Sequence, residues 1–504
     1  MKTNRYITKI VAVALVLLSL TGCKGLLDLK PDSSLTYHAF WDTEDRARAA
    51  FIGNYTRFRS YAGTFWTLGE VRSDLWGGKA MEDAWNKDLI QNDFNALKAP
   101  YGSNFADFYG FIHNLNDFIA NAPKSPLASN TKDFNNMMAQ MHGIRALVYY
   151  TLLKTWGDAV ISTDPADGDF IANESVQKRK RAPKAEVMKQ VLDDIAKSLE
   201  YYEKSGTDNW RNSAAYWSKN ATLTLKGDVL LWKGQVLNGG QADFQAAKEA
   251  LELVKGNLVA YDKLWGIDNE RNKEFIFAFD YKENQSSHWY GSLTAKAGDV
   301  VSVVDQKGNM VGDYYGFQGG NRYGVSQFAI NKLYEFDGDK RQNTFILFYE
   351  PGKPVDVHNL ASKYYKGAAL SKFMGYTDES GERRYWENIP LYRYADVLLL
   401  LAEAKNQLGE DPSAEINKIR ERAGVAVKYI SKSKLDNKRA ILDERLREFA
   451  GEGKRWWDLV RAGDDLVFDY VTNLKKENRH MIYLPLSNSL ISKDPEYITQ
   501  TEGY

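Results

Sequence analysis

Two groups of residues in this sequence could do chemistry: its carboxylates, and the aromatic rings gathered in long stretches between helices. Carboxylates in suitably spaced pairs act as general acid and base, as glycosidases require. With 66 Asp and Glu residues that option stays open. Glu70 and Asp74 are its nearest expression, because a four-residue spacing puts both on one face of a helix. A solvated face or a satisfied loop is the commoner fate of such a pair. The other catalytic patterns are missing. The six histidines stand apart at 38, 113, 142, 288, 358 and 480, with no H-E-x-x-H. No phosphate-binding glycine loop, G-x-S-x-G elbow or dinucleotide fingerprint occurs. A single cysteine, Cys23, excludes a disulfide framework, cysteine zinc sites and iron–sulfur clusters. Neither a metal nor a cofactor is expected.

The aromatic residues suggest a different chemistry. Ser60–Pro100 carries Tyr61, Phe65, Trp66, Trp76, Trp85 and Phe94, and the glycine-rich stretch Ser286–Val325 carries Trp289, Tyr290, Tyr314, Tyr315, Phe317 and Tyr323. Irregular segments beyond about 12–15 residues are uncommon and usually functional or disordered; rings in such numbers argue for order. In Ser286–Val325 the charges balance, Lys296, Lys307 and Arg322 against Asp299, Asp305 and Asp313. A pyranose lays its C–H face flat on an indole or phenol ring, and its hydroxyls need polar partners at the rim. Arg72, Asp74, Asn86 and Asp88 are close in sequence to Trp76 and Trp85 and could supply them. The ligand contacts expected are therefore Asp74, Trp76, Trp85, Trp289, Tyr290 and Tyr314. Any one ring taken singly reads first as core packing; as a group, at least two are expected to line a sugar site.

Helices must position these segments. Asp42 reads as the N-cap of a helix reaching about Arg57, and Phe105 to Ile119 repeats apolar residues at helical spacing. Thr131 and Pro183 mark the starts of two longer helices. Ala221–Leu237 pairs with Phe244–Val254 around Asn238-Gly239-Gly240, and Ala395–Leu408 with Ser413–Arg422 around Gly409; Leu435–Phe449 follows. The pairs have the size of tetratricopeptide units, with Gly227, Gly234, Ala247 and Ala250 where helices must approach closely, but the 34-residue signature is not legible. A plain bundle is the alternative. Ser162–Ala182 and Pro351–Asn388 read as further irregular segments.

The N-terminus speaks to location. Lys2, Arg5 and Lys9 precede the apolar run Ile10–Leu20, too short for a spanning helix and formed like a secretory leader. It ends in Leu20-Thr21-Gly22-Cys23, which resembles the lipobox of bacterial lipoproteins. Residues 1–22 are then a signal peptide, Cys23 is the acylated first residue, and 23–41 is a tether. The whole chain has 66 basic and 66 acidic residues. Removing the three basic residues of the leader leaves 63 against 66, a net charge of −3. This is no footprint of nucleic-acid binding, and acyl chains rather than a polybasic patch would hold the protein on a membrane.

The C-terminal third carries a family resemblance. Asn388 to Ala404, with Arg393-Tyr394-Ala395-Asp396, resembles a signature helix of the SusD/RagB family. Arg445 to Arg461, with Gly451-Glu452-Gly453-Lys454-Arg455-Trp456-Trp457-Asp458, resembles its other signature. Arg145-Ala146-Leu147-Val148-Tyr149-Tyr150, Trp156-Gly157-Asp158, Tyr483-Leu484-Pro485-Leu486 and the terminal Glu502-Gly503-Tyr504 follow in the expected order. The resemblance implies a mostly α fold: tetratricopeptide-like helix pairs in a right-handed superhelical scaffold, decorated by long loops and short strands, as one domain over 42–504. It implies an outer-membrane, surface-exposed lipoprotein that captures oligosaccharides without catalysis and passes them to a SusC-like TonB-dependent transporter. Peptide-binding members of the family supply the alternative ligand, and a surface glycosidase is a third reading. Ligand is implied between approximately 60–100 and 286–325. Arg393, Arg455, Trp456 and Asp458 are expected to hold helices together.

Overall fold

The computed structural model describes residues 37–82, 86–100, 105–165, 178–313, 319–320, 322–463 and 465–504. Cys23, the leader, most of the tether, Trp85 and Tyr314 lie outside the described residues.

Eleven helices carry the architecture: α1 (Glu44–Ser60), α2 (Ala62–Glu70), α3 (Asp107–Asn121), α4 (Thr131–Trp156), α5 (Lys184–Ser205), α6 (Lys219–Val236), α7 (Gln241–Glu252), α8 (Tyr394–Leu408), α9 (Ser413–Ala423), α10 (Lys434–Phe449) and α11 (Arg455–Ala462). Local chemistry sets their ends. Thr43 rather than Asp42 caps α1, its side chain accepting from Arg46 N, and Asn130 rather than Thr131 caps α4. Ser218 and Ser433 cap α6 and α10 in the same way. Gly409 ends α8 at φ 78°, a left-handed position that glycine takes without steric cost.

Successive helices pack as antiparallel pairs. In α4 and α5, Ser198 donates to Ala139 O while Asp194 accepts from Arg145, so the residue numbers run in opposite directions. In α6 and α7 a Cβ on Gly227 would lie 2.4 Å from Leu251, and one on Gly234 would lie 2.5 Å from Phe244. Only glycine permits that approach. Helices α8 and α9 are joined by the Lys405–Glu415 ion pair at 2.6 Å. The architecture is mostly helical and tetratricopeptide-like. The main apolar core among the described residues runs from Ala47 to Leu486, with Trp156, Trp217, Trp232 and Trp456 fully enclosed, and a smaller one joins α8, α9 and α10 through Leu399, Ile416 and Ile441.

Strands are short and paired in twos. Phe275–Phe279 runs antiparallel to Ile389–Arg393 and leads directly into α8. Phe345–Tyr349 pairs with Tyr365–Leu370, giving the expected irregular segment Pro351–Asn388 a strand. Ser60–Pro100 likewise differs from the irregular loop expected. It holds α2 and a strand, Trp76–Gly78, that pairs with Gly324–Val325. Alpha-helix α2 exists because it packs: a Cβ on Gly69 would fall 1.9 Å from Gly453 O.

The signature residues tie these elements together. Arg393 meets Glu274, Glu448 and Glu452 at 2.6–2.9 Å, all with fully buried side chains. Arg461 bridges Asp228, Glu403 and Asp458. Buried ions at such spacing persist because each charge is matched and hydrogen-bonded.

Candidate functional site

Two of the aromatic segments meet. Trp76 is the register partner of Val325, Ser326 N donates to Leu75 O at 2.8 Å, and Ser326 Oγ donates to Asp74 O at 2.6 Å. A Cβ on Gly324 would sit 2.1 Å from Gly78 O, so the backbones touch. Farther out, Glu82 bridges Lys296 and Arg322, the latter at 3.2 Å, and the Lys296 ammonium holds the Glu82 carboxyl below its usual range. Tyr323 OH donates to Asn86 Oδ1 at 2.7 Å.

Beneath that junction the rings are core. Trp66, Trp76 and Tyr323 pack edge to face with centroids 5.4–6.1 Å apart. Trp76 is 6% exposed. Tyr290 is 3% exposed and donates through its hydroxyl to Gly451 O at 2.5 Å. Trp76 and Tyr290, expected as sugar platforms, thus serve as packing. Trp289 is different. It is half-buried, with its indole against Gly63 of α2 and beside Tyr290, centroids 4.5 Å apart.

Asp74 also departs from expectation. Instead of standing at a rim it accepts two hydrogen bonds from Arg455, Nε at 2.8 Å and Nη2 at 2.7 Å, with both side chains 2% exposed. The reason is the path of the chain: the turn after α2 runs into the start of α11. Glu70 is caught in the same contact, accepting from Gly451 N at 2.7 Å and Lys454 N at 2.9 Å. Burial pushes its carboxyl up to about 7 against those donors. Arg72, too, is interior: it stacks on Trp456 at 3.9 Å, and burial pushes its guanidinium down to about 9. Glu70 and Asp74 are both committed to backbone and Arg455, which removes them as an acid–base pair.

A second set of rings adjoins Trp289 and was not singled out from the sequence. The hairpin Tyr376–Thr377 with Arg383–Arg384 leads to Trp386, and Tyr376 and Trp386 form an edge-to-face pair at 6.0 Å, both half-buried. Arg384 lies over the Trp386 ring at 5.3 Å and is paired with Asp378 at 2.6 Å. This hairpin is fastened to the Trp289 segment. His288 N donates to Tyr385 O at 2.9 Å, and the His288 imidazole meets the buried Glu387 carboxylate at 2.7 Å. Glu387 in turn accepts from Gly375 N at 2.7 Å. The signal available was compositional: Tyr376 and Trp386 flank the turn sequence Asp378-Glu379-Ser380-Gly381 in the long segment Pro351–Asn388.

Half-exposed Trp289, Tyr376 and Trp386, with charged side chains that largely neutralise one another, make a surface suited to stacking on an uncharged ring. Among the described residues no group of three or more His, Cys, Asp or Glu is placed to hold a metal ion, and no helix is long and apolar enough to cross a membrane.

Helix pairs carrying long aromatic segments of this kind define a class of proteins, and the comparisons agree with it. A model of the SusD family matches residues 347–504, and a model described as starch-binding, associating with the outer membrane, matches 26–219. SusD-like protein P38 of Formosa agariphila is 26% identical over 499 residues, 91% of each chain. Starch-binding protein SusD of Bacteroides thetaiotaomicron is 23% identical over 373 residues, 64% of each chain. Among solved structures, B. fragilis NanU is 29% identical with a TM-score of 0.80, over 94% of this chain and 100% of that one. A SusD superfamily protein of Bacteroides fragilis, also 29% identical, has a TM-score of 0.81 over 92% and 100%. This chain belongs to the SusD/RagB family.

Proposed function

We propose that the protein is a non-catalytic glycan-binding lipoprotein of the cell surface, which captures oligosaccharides and delivers them to a TonB-dependent transporter. In this reading residues 1–22 are a cleaved leader, Cys23 carries the lipid, 23–41 is the tether and 42–504 is the binding unit. The starch-binding description of the matching family model and the starch-binding name of the SusD relative support a carbohydrate ligand. The observation that carries the site is the junction of Trp76, Glu82 and Asn86 with Lys296, Arg322, Tyr323 and Val325, flanked by the Tyr376–Trp386 hairpin. There a sugar ring would stack on Trp289 or Trp386, while Glu82, Lys296 and Arg322 would meet hydroxyls at the edge.

The test is a glycan array probed with the full chain, followed by calorimetry and product analysis on any hit. Binding without turnover supports the proposal. Released sugar would make the protein an enzyme, and binding confined to a parallel peptide panel would replace the glycan by a peptide.

A further inference from the structure

A cavity among the described residues shares no residue with the aromatic junction. It is a groove of about 700 Å³ between the end of α6, α11 and the C-terminal segment. That volume lies within the roughly 300–1,000 Å³ of small-molecule sites. Its apolar lining comprises the partly exposed Val236 and Ile482 backed by the buried Val460 and Phe468. Its walls bring Asn238 together with Asp465, His480, Tyr483 and Glu502 of the C-terminal segment.

Two features distinguish the groove from a packing defect. The His480 imidazole and the Tyr483 hydroxyl have no hydrogen-bond partner among the described residues, although both rings are held. His480 packs edge to face with Tyr504, centroids 4.8 Å apart, and Lys184 lies 5.1 Å above the Tyr483 ring. The charges at the mouth are also matched. Arg479 pairs with Asp465 and lies 5.5 Å over Phe468, and Glu502 meets Lys184 at 3.4 Å. A mouth with balanced charge offers little to an ion. It offers an apolar floor with donors and acceptors around it, which is what a compact polyhydroxylated molecule needs.

We infer that this groove is a second saccharide site, taking a neutral mono- or disaccharide with one face on Val236 and Ile482 and hydroxyls on His480, Tyr483 and Asp465. It stands independently of the aromatic junction.

Saturation-transfer NMR on the full chain, with glucose, galactose, mannose, N-acetylglucosamine, maltose and laminaribiose as probes, tests it. Val236→Trp fills the groove and His480→Ala removes a polar partner; Trp289→Ala with Trp386→Ala disables the other surface. The expected result is transfer to at least one probe that survives the double tryptophan variant and falls at least tenfold in both groove variants. Should Val236→Trp fail to fold, His480→Ala decides. No transfer to any probe, or transfer that the groove variants leave unchanged, overturns the second site. Transfer lost only in the tryptophan variant overturns it too, while leaving the aromatic junction standing.

Discussion

At the scale of single residues, burial separates groups that look alike in the sequence. Trp76, Tyr290 and Trp289 all lie in aromatic segments, yet only Trp289 keeps part of its ring in solvent. The difference is made by partners far along the chain, such as Gly451 for the Tyr290 hydroxyl, which no local pattern reveals. Trp289→Ala and Trp386→Ala should therefore each weaken glycan binding by more than about 1 kcal/mol, the scale of a stacking contact, with little change in melting temperature. Calorimetry beside thermal melting checks both, and unchanged affinity in both variants would move the ligand elsewhere. Asp74→Asn should behave in the opposite way. It leaves the Arg455 guanidinium buried without its countercharge, a loss on the order of 3 kcal/mol. Denaturant unfolding should show that loss, whereas a variant of normal stability with impaired binding would return Asp74 to the ligand.

At the scale of elements, helices with their own signals were legible and those made by packing were not. Helices α6, α8 and α10 begin and end within two residues of where apolar spacing puts them, and α4 and α5 begin within one residue of the starts marked by Thr131 and Pro183. Helix α2 carries no helix signal of its own, because Ala-Gly-Thr-Phe-Trp-Thr-Leu-Gly-Glu contains two glycines, two threonines and two aromatic residues, poor helix formers all. Its helicity is a tertiary effect, and Gly69 is the contact that permits it. Gly69→Ala would push a methyl group into Gly453 O and toward Trp457 Nε1, at 1.9 and 2.7 Å. Overpacking of this kind costs about 1–3 kcal/mol, which in a chain of this size lowers the melting temperature by about 1–3 °C. A neutral outcome would mean that α2 shifts easily against α11. The meeting of Ser60–Pro100 with Ser286–Val325 followed from the family resemblance, not from either segment's own residues. The Tyr376–Trp386 hairpin was missed because its role depends on His288 and Glu387, which join two segments about a hundred residues apart.

At the scale of the whole molecule, attachment and acid response can be predicted separately. Cys23→Ala should release the protein from the membrane fraction if an acyl chain is the anchor, and persistence there after a salt wash would refute it. The acid response follows from the buried ions. Burial pushes Glu452 up, but the Arg393 guanidinium and the Lys372 ammonium outweigh it and hold the carboxyl at about 2. Asp194 is opposed by burial and brought down to about 2 by Arg145 and His142. Glu448 is held low by Arg422, Arg393 and Arg341 against its burial. An unfolded chain titrates such groups near about 4, so their stabilisation is complete above that pH and drains away as pH falls toward 2. Glu70 has the opposite sign. Raised to about 7 by burial, it takes up a proton in the folded state before the unfolded chain does. Stability should therefore rise slightly as pH falls from about 7 to about 4.5, with no further gain from Glu70 below that. The melting temperature should be flat or gently rising from pH 7.5 to 5, then fall steeply below about pH 4. In Glu70→Gln, which cannot titrate, the gentle rise should vanish while the steep acid limb remains. Subtracting the two profiles isolates the one carboxylate. An identical slope in both proteins above pH 5 would mean that Glu70 stays ionised on the backbone donors Gly451 N and Lys454 N, which then stabilise it more than burial penalises it.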